Sequence, residues 1–284
     1  MKLKRFEEII GFSILGFSAL IVILILGTIV VNILMHGTSV IRWEFISDFP
    51  REGMTKGGIF PAIIGTIFVT IITTIFAIPL GVSAAVYLSE YAKEGTLTRI
   101  IRAAIRNLAG VPSIVYGLFG VALFVQGLDF GSSVLSSGLT LGLLTLPWII
   151  STSEEALKTV PHSFREGSLA LGATKWQSIR SNVLPYALPG ILTGSILGLS
   201  RAAGEMAPIL FTGVVFFLPN LPDSVFDQFM ALPYHLYILS TQHHAIEQVR
   251  PLAYGTALVL IMLVLVLNFT AIFLRFKLRK KFQT

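Results

Sequence analysis

The 284-residue chain contains no cysteine and carries few charged side chains. Without cysteine it can form neither a disulfide nor a thiolate metal site. Only 13% of its residues are charged and 54% are hydrophobic, whereas a soluble domain of this size would have about a quarter of its residues charged. The composition therefore indicates an integral membrane protein, whose backbone polar groups must be paired within the bilayer.

The chain also lacks the motifs of several enzyme classes. No stretch has the G-x-x-x-x-G-K-S/T spacing that cradles nucleotide phosphates, so the chain is not expected to bind or hydrolyse ATP. No Ser/His/Asp constellation has a recognisable spacing. His243 and His244 are neighbours that point to different sides of a helix or strand, and we interpret them as solvated loop residues rather than a metal site. Glu154 and Glu155 are interpreted as interface charges at the end of a span.

Six apolar stretches are long enough to cross a bilayer. They cover approximately residues 9–35, 59–88, 107–125, 138–153, 186–218 and 251–274. Most of the 21 lysines and arginines fall in the predicted inner segments. This bias predicts six helices with both termini in the cytoplasm. The main alternative has five helices and a cleaved first stretch, although that stretch is longer than the ~7–15 residues of a signal-peptide core.

Two further features shape the predicted fold. Pro79 is expected to kink the second stretch, because proline removes a helical hydrogen bond. Residues 219–250 form the longest outer segment, and its Leu-Pro-x-x-Leu pieces are expected to form short surface helices. We therefore predict an all-α integral membrane protein with a single transmembrane domain over residues 1–284, whose core spans about 59–276.

A polar stretch over about residues 158–185 separates the fourth and fifth apolar stretches. Ser163 and Glu166 have the S-x-x-E spacing of a capping box, which predicts a short helix just after a proline. Gly172 suits the end of that helix, because glycine adopts the left-handed conformation of a C-cap. Thr174 is placed to cap a second short helix. The pattern predicts a helix–turn–helix at the membrane surface, on which a cytoplasmic protein docks. Its basic residues, which favour the cytoplasmic side, are Arg165, Lys175 and Arg180.

Arg201 and Glu205 lie within the fifth apolar stretch. If that helix starts near residue 186, Arg201 lies about 15 residues along it, roughly 22 Å at ~1.5 Å per residue. A charge at that depth costs at least ~2.5–3.5 kcal/mol on insertion scales, so it must face protein or water. The i, i+4 spacing places both side chains on one helical face. Either they form a structural pair, or Arg201 lines a translocation path and offers its planar fork to an oxyanion.

Small residues recur at every fourth position of the same stretch. Such a stripe lets another helix approach closely. Packing within this chain and a seam with a second membrane subunit are both compatible with the pattern. The stripe consists of Gly190, Gly194, Gly198 and Ala202.

The polar stretch resembles the EAA loop of permease subunits in ABC importers. That loop reads Glu-Ala-Ala, three residues, Gly, nine residues, Ile, one residue, Leu-Pro. The chain keeps the Glu, the Gly and the closing Leu-Pro in register, replaces the two alanines by small residues, and has asparagine for the isoleucine. The corresponding positions are Glu166, Gly167, Ser168, Gly172, Asn182, Leu184 and Pro185. The resemblance implies a coupling helix that sits in a cleft of an ATP-hydrolysing subunit.

Three further segments make the resemblance more specific than ABC importers in general. Residues 110–120, 152–161 and 199–208 together look like the A-type permease subunits of bacterial phosphate-specific ABC importers. The likeness covers most of the chain from the second span onward, and the Ser-Arg-Ala-x-Gly-Glu segment containing Arg201 is its most specific part. It implies a six-helix permease of the type I importer kind, which imports inorganic phosphate and is a transport subunit rather than an enzyme.

The same resemblance implies the partners and the location. The pore is expected to be a heterodimer with a C-type permease, served by two copies of an ATPase and an outer phosphate-binding protein. ATP and Mg²⁺ would be held by the ATPase, and this chain would hold no cofactor or metal. The expected location is the bacterial inner membrane. Alternatives are the same architecture importing molybdate, sulfate or another anion, and a transporter or channel that needs no ATPase.

Overall fold

The computed structural model describes residues 2–282, with side chains described for residues 11–270, 272, 273 and 275–277. The side chains of residues 2–5 and 278–281, whose charges contribute to the predicted orientation, lie outside this set. The described part of the chain contains twelve α-helices and one two-stranded hairpin. The helices are α1 (Lys2–Gly37), α2 (Trp43–Ser47), α3 (Phe60–Val86), α4 (Thr96–Leu108), α5 (Ser113–Gly120), α6 (Val134–Lys158), α7 (His162–Ala170), α8 (Lys175–Ser178), α9 (Leu184–Ala203), α10 (Ala207–Thr212), α11 (Leu232–Tyr237) and α12 (Ile246–Phe282). The antiparallel hairpin pairs β1 (Pro50–Arg51) with β2 (Lys56–Gly57).

Among the described residues, five helical segments are long and apolar enough to cross a membrane, and the number is six if a bent pair counts as one span. The prediction of an all-α membrane protein is confirmed. The five are Gly11–Gly37, Phe60–Tyr91, Val134–Lys158, Lys175–Ala203 and Ile246–Lys277, and the bent pair is Thr96–Leu108 with Ser113–Gly127. Residues 113–125 of the third predicted span lie in the second helix of that pair, and residues 107–108 end the first. The two helices meet at 101°, because the chain breaks before Pro112, the N-cap of α5.

π-helical turns extend several of these helices. One, Tyr87–Tyr91, continues α3, and another, Ile179–Val183, joins α8 to α9. Two more continue α5 and α11 over Val121–Gly127 and Ile238–Gln242. Such wide turns are rare and often accompany functional sites.

The centre of the bundle is formed by α3, α6 and α9. Glycines let these helices approach closely, and a Cβ built on Gly81 of α3 would lie 2.6 Å from Cγ2 of Ile149 on α6. At the end nearest α7, a cluster of nine buried side chains joins the three helices. Its members are Ala85, Val86, Ala156, Leu157, Val160, Ile179, Val183, Ala187 and Ile191. The polar stretch therefore emerges from the end of the bundle that this cluster packs together.

The fifth predicted span, residues 186–218, is wrong as one helix. The helix α9 ends at Ala203, with Gly204 as its C-cap, and a new short helix begins at Ala207. Pro208 stands in the first turn of α10, where its missing N–H leaves no helical bond unmade. Residues 213–231 are largely irregular, with one isolated bridge between Val214 and Phe229.

The outer segment of residues 219–250 also differs from its prediction. Its short helix α11 is not on the surface: Leu232 is fully buried, and Phe229, Met230 and Ala231 are at most 1% exposed. The backbone N–H of Leu232 donates to the hydroxyl of Thr66 on α3 at 2.9 Å. The apolar Phe-Met-Ala-Leu run makes burial more favourable than exposure, so the segment folds back into the bundle.

Candidate functional site

Two short helices, α7 and α8, form a knob between the long helices α6 and α9. The helix α7 begins directly after Pro161, as predicted, but the expected capping box of Ser163 and Glu166 is wrong. Pro161 itself is the N-cap and provides no side-chain hydrogen bond. Ser163 therefore lies inside the first turn, two positions after the N-cap.

The turn between the two helices follows the sequence more closely. Gly172 has φ of +83°, the left-handed conformation that a residue with a side chain adopts only under strain. A complete capping box starts α8, since the Thr174 hydroxyl accepts from the N–H of Gln177 at 3.3 Å. The Gln177 side chain in return accepts from the N–H of Thr174 at 2.7 Å. The turn is thus fixed by local chemistry.

The outer surface of the knob is exposed and partly apolar. No residue of α7 is buried, and Glu166 and Gly167 are both exposed. Leu171 is 90% exposed and Trp176 is 54% exposed. Apolar side chains presented on a polar protrusion are typical of a protein-binding surface. At the other end of the motif, Leu184 and Pro185 begin α9 and are half-buried.

Arg165 connects the knob to two long helices. Its Nη2 lies 2.7 Å from Oε1 of Glu90, in the π-helical turn that ends α3. The same guanidinium donates to the carbonyl oxygens of Leu157 at 3.0 Å and Val160 at 2.8 Å, at the end of α6. The ion pair is largely shielded from solvent, with the Arg165 side chain 19% exposed and that of Glu90 6% exposed.

Weaker contacts tie the parts of the knob together. The Ser168 hydroxyl on α7 donates to that of Ser178 on α8. The Phe164 ring lies 5.1 Å from the ring of Tyr186 at the start of α9. On α8, the ammonium group of Lys175 lies 5.0 Å from the ring centre of Tyr91, next to Glu90.

Arg201 and Glu205 are close together, but not in one helix. Arg201 lies near the end of α9, whereas Glu205 follows the helix break at Gly204. Arg201 Nε and Glu205 Oε1 are 3.4 Å apart. The Arg201 side chain is 63% exposed and the Glu205 side chain 20% exposed, so the guanidinium remains open on one side.

The small-residue stripe of α9 faces α6. A Cβ on Gly190 would lie 2.8 Å from that of Ala156, and one on Gly194 would overlap the side chain of Thr152. On Gly198, a Cβ would lie 3.2 Å from Trp148 Cδ1. These contacts are made within the chain. Ala202, at the end of the stripe, is 1% exposed.

A second shielded ion pair, absent from the sequence reasoning, joins α4 to α6. Arg102 Nε lies 2.7 Å from Oε1 of Glu154, off the line of the N–H bond, with side chains 17% and 9% exposed. Glu154 is therefore an internal partner rather than an interface charge. Glu90 was also missed. The available signal was an acidic residue at the end of a long apolar run, in a segment otherwise rich in basic residues.

The two histidines expected in a solvated loop behave differently from each other. His243 is buried, with its Nε2 2.7 Å from the carbonyl oxygen of Gly53, whereas His244 is exposed. Their rings stack at 4.5 Å, so the prediction that they point apart is wrong. The N–H of Ala245 donates to His243 Nδ1 at 3.1 Å, which makes Nε2 the protonated nitrogen. Nearby, burial and then the proximity of His243 lower the pKa of His235 to about 4.

The chain is similar in sequence to known transport permeases. The profile of the family described as "Binding-protein-dependent transport system inner membrane component" matches residues 77–283. The chain is 31% identical to the probable ABC transporter permease protein YqgI of Bacillus subtilis, over 98% of each protein. It is 38% identical to the phosphate transport system permease protein PstA 1 of Mycobacterium tuberculosis, over 78% of this chain and 70% of that protein. For the probable phosphate transport system permease protein PstA of Methanocaldococcus jannaschii, the identity is 31% over 93% and 92%.

Solved structures share the fold. A bacterial ABC transporter involved in the import of the acidic polysaccharide alginate superposes with a TM-score of 0.69 at 14% identity, over 94% of each chain. An inward-facing MetNI methionine ABC transporter gives 0.62 at 19% identity, over 78% of this chain and 97% of that one. At these identities the likeness concerns the fold alone, which is that of type I ABC importer permeases.

Proposed function

The chain belongs to the family of inner membrane components of binding-protein-dependent transport systems, and from this premise we propose that it carries inorganic phosphate inward as the permease subunit of an ATP-driven importer. Two relatives named as phosphate transport system permeases, which are 31% and 38% identical to the chain, support the choice of substrate. The whole chain forms one permease domain, with its core over about residues 59–276.

The observation that carries the coupling role is the exposed knob of α7 and α8. It keeps the spacing of the EAA loop from Glu166 to Pro185, and its left-handed Gly172 turn presents Leu171 outward. A cytoplasmic ATPase docks on this surface, and its closure moves the knob with the helices attached to it. The coupling contacts include Glu166, Gly167, Ser168 and Gly172.

The partners follow from the same proposal. This chain pairs with a C-type permease in the inner membrane, with both of its termini in the cytoplasm. Two ATPase subunits hold ATP and Mg²⁺, while an outer phosphate-binding protein delivers the substrate. The permease itself binds no cofactor.

Arg201 lines the substrate path in this proposal. Its planar fork is suited to two oxygens of a phosphate, and its half-open environment leaves the donors accessible. Glu205, paired with it at 3.4 Å, is placed to compete with phosphate and so to release it.

The test is ATP-driven uptake of labelled phosphate by the co-expressed importer in liposomes. Phosphate uptake should resist excess sulfate and molybdate, and should fall in Arg201→Ala and Arg201→Lys while the complex still assembles. Uptake that survives Arg201→Ala would contradict the substrate-path role. An intact complex that moves molybdate or sulfate but no phosphate would contradict the choice of substrate. Transport by this chain alone would contradict the ATP-driven mechanism.

A further inference from the structure

The helix α7 has no buried side chain, although it lies between two long helices of the bundle. An apolar core therefore does not hold it in place. Its most shielded attachment is Arg165, whose side chain is 19% exposed. Besides the covalent links to α6 and α8 and the contacts of Phe164 and Ser168, a displacement imposed on the outer face of α7 reaches α3 through this residue.

The partners of Arg165 belong to different helices. Nε and Nη2 contact the Glu90 carboxylate at 3.2 and 2.7 Å, which joins α7 to the end of α3. Nη1 and Nη2 also donate to the carbonyls of Val160 and Leu157 at the end of α6, where the last carbonyls of a helix have no i+4 helical N–H to accept from. A guanidinium is planar and rigid, so the three elements cannot shift relative to one another without breaking hydrogen bonds to a charged group.

On the side of α3, Arg165 contacts the π-helical turn of Tyr87–Tyr91. This turn holds Glu90, which is 6% exposed, and next to it Tyr91, whose ring faces the ammonium group of Lys175 on α8. Both halves of the knob are therefore attached to this turn. A shielded carboxylate left without its cation is strongly unfavourable, so the attachment to α3 resists separation when α7 is pushed.

We infer that Glu90 and Arg165 are positioning residues that transmit movement of the knob to α3 and α6, and so couple ATP hydrolysis to phosphate movement. The inference rests on the proposed docking of an ATPase on the knob. It makes the end of α3, which the EAA spacing does not include, part of the coupling device.

The experiment measures ATP hydrolysed per phosphate transported by the reconstituted importer. Glu90→Gln keeps the shape of the side chain and removes its charge. Arg165→Lys keeps the charge but cannot hold Glu90 and two carbonyls at once, and it serves where Glu90→Gln assembles poorly. In both variants the ratio should rise roughly fivefold or more, since phosphate uptake falls while ATP hydrolysis continues.

The matched control is Glu154→Gln, which breaks the other shielded ion pair, between Arg102 and Glu154. That pair joins α4 to α6 and makes no contact with α7 or α8, although Arg102 also donates to the carbonyl oxygen of Leu88 in the π-helical turn at 2.9 Å. The control should lower the thermal stability of the complex and leave the ratio within about twofold of wild type.

An unchanged ratio in assembled Glu90→Gln or Arg165→Lys complexes would contradict the inference, as would an equal rise in Glu154→Gln. These results differ from failure of the proposed function itself. In that case the wild-type complex would hydrolyse ATP without moving phosphate, and no variant would need to be compared.

Discussion

The connection between α6 and α9 and the connection between α10 and α12 both interrupt apolar helices, yet the first stands out of the bundle and the second folds into it. In the first, α7 has no buried residue and Leu171 is 90% exposed. In the second, Phe229 and Leu232 are fully buried, and Thr66 on α3 holds the backbone of Leu232. Within the first connection, α7 is held without a buried side chain and is suited to moving against a partner, while residues 229–232 of the second connection are part of the core.

The largest effect on stability is expected in the second connection, at the side chains that are buried in the core. Phe229→Ala should lower the free energy of unfolding by about 3–5 kcal/mol, because a fully buried ring is removed. The control is Phe226→Ala in the same segment, where the ring is 55% exposed and the loss should be below about 1.5 kcal/mol. Thermal or denaturant unfolding of the purified chain in detergent measures both. Equal losses would show that the segment is not core.

The second connection should also make the stability of the protein depend on pH, through the buried His235. His235 is 3% exposed, and burial first and His243 second lower its pKa to about 4. The unfolded chain therefore binds more protons than the folded one between about pH 6.5 and 4, so stability is full above this window and falls as the pH drops through it. The loss should be on the order of 3 kcal/mol. In His235→Gln, unfolding should depend less on pH over this window, and an unchanged dependence would contradict the assignment.

In the knob, substitutions should affect transport rather than stability. Proline cannot adopt the φ of +83° at Gly172 and lacks the N–H that donates to the carbonyl of Leu169, so Gly172→Pro should disrupt the turn and abolish coupled uptake without preventing membrane insertion. Asparagine tolerates this conformation better than most residues, and Gly172→Asn should keep more uptake. Uptake and unfolding are measured on the same preparation. Normal uptake in the proline variant would contradict the coupling role of the turn.

The smallest structural change is a reversal of surface charge. Glu166→Lys should lower phosphate uptake without preventing membrane insertion, because the side chain is exposed and its effect on stability should stay within about 0.5 kcal/mol. Glu155→Lys is the control, since its side chain is 74% exposed and lies outside the knob. The two variants are compared by uptake per assembled complex. Equal uptake in both would remove Glu166 from the docking surface.

The helical class and the knob could be predicted because their signals are local. Long apolar runs specify spans, Gly172 specifies a left-handed turn, and Thr174 with Gln177 forms its own cap. The same local reasoning failed at Ser163, where Pro161 already occupies the cap position. It also joined α9 to α10 across Gly204, because long apolar runs continue on both sides of the break.

The tertiary partners could not be predicted from spacing. Glu90 and Arg165 are 75 positions apart, and only the packing of α3 beside α6 brings them together. Likewise, the outer segment contains charged and aromatic residues that suggest a solvated loop. Its burial depends on the space that α3 and α12 leave for Phe229 to Leu232, which the sequence of the segment does not contain.

The first helix occupies membrane area but contributes little to the packed core of the chain. None of the most apolar window of Gly11–Gly37 is buried, and its described contacts are near its end, where His36 stacks on Tyr254 at 5.0 Å. The helix thus enlarges the lipid-facing perimeter of the protein without adding buried side chains to its core. Its apolar side chains are therefore left to contact hydrocarbon or a neighbouring subunit.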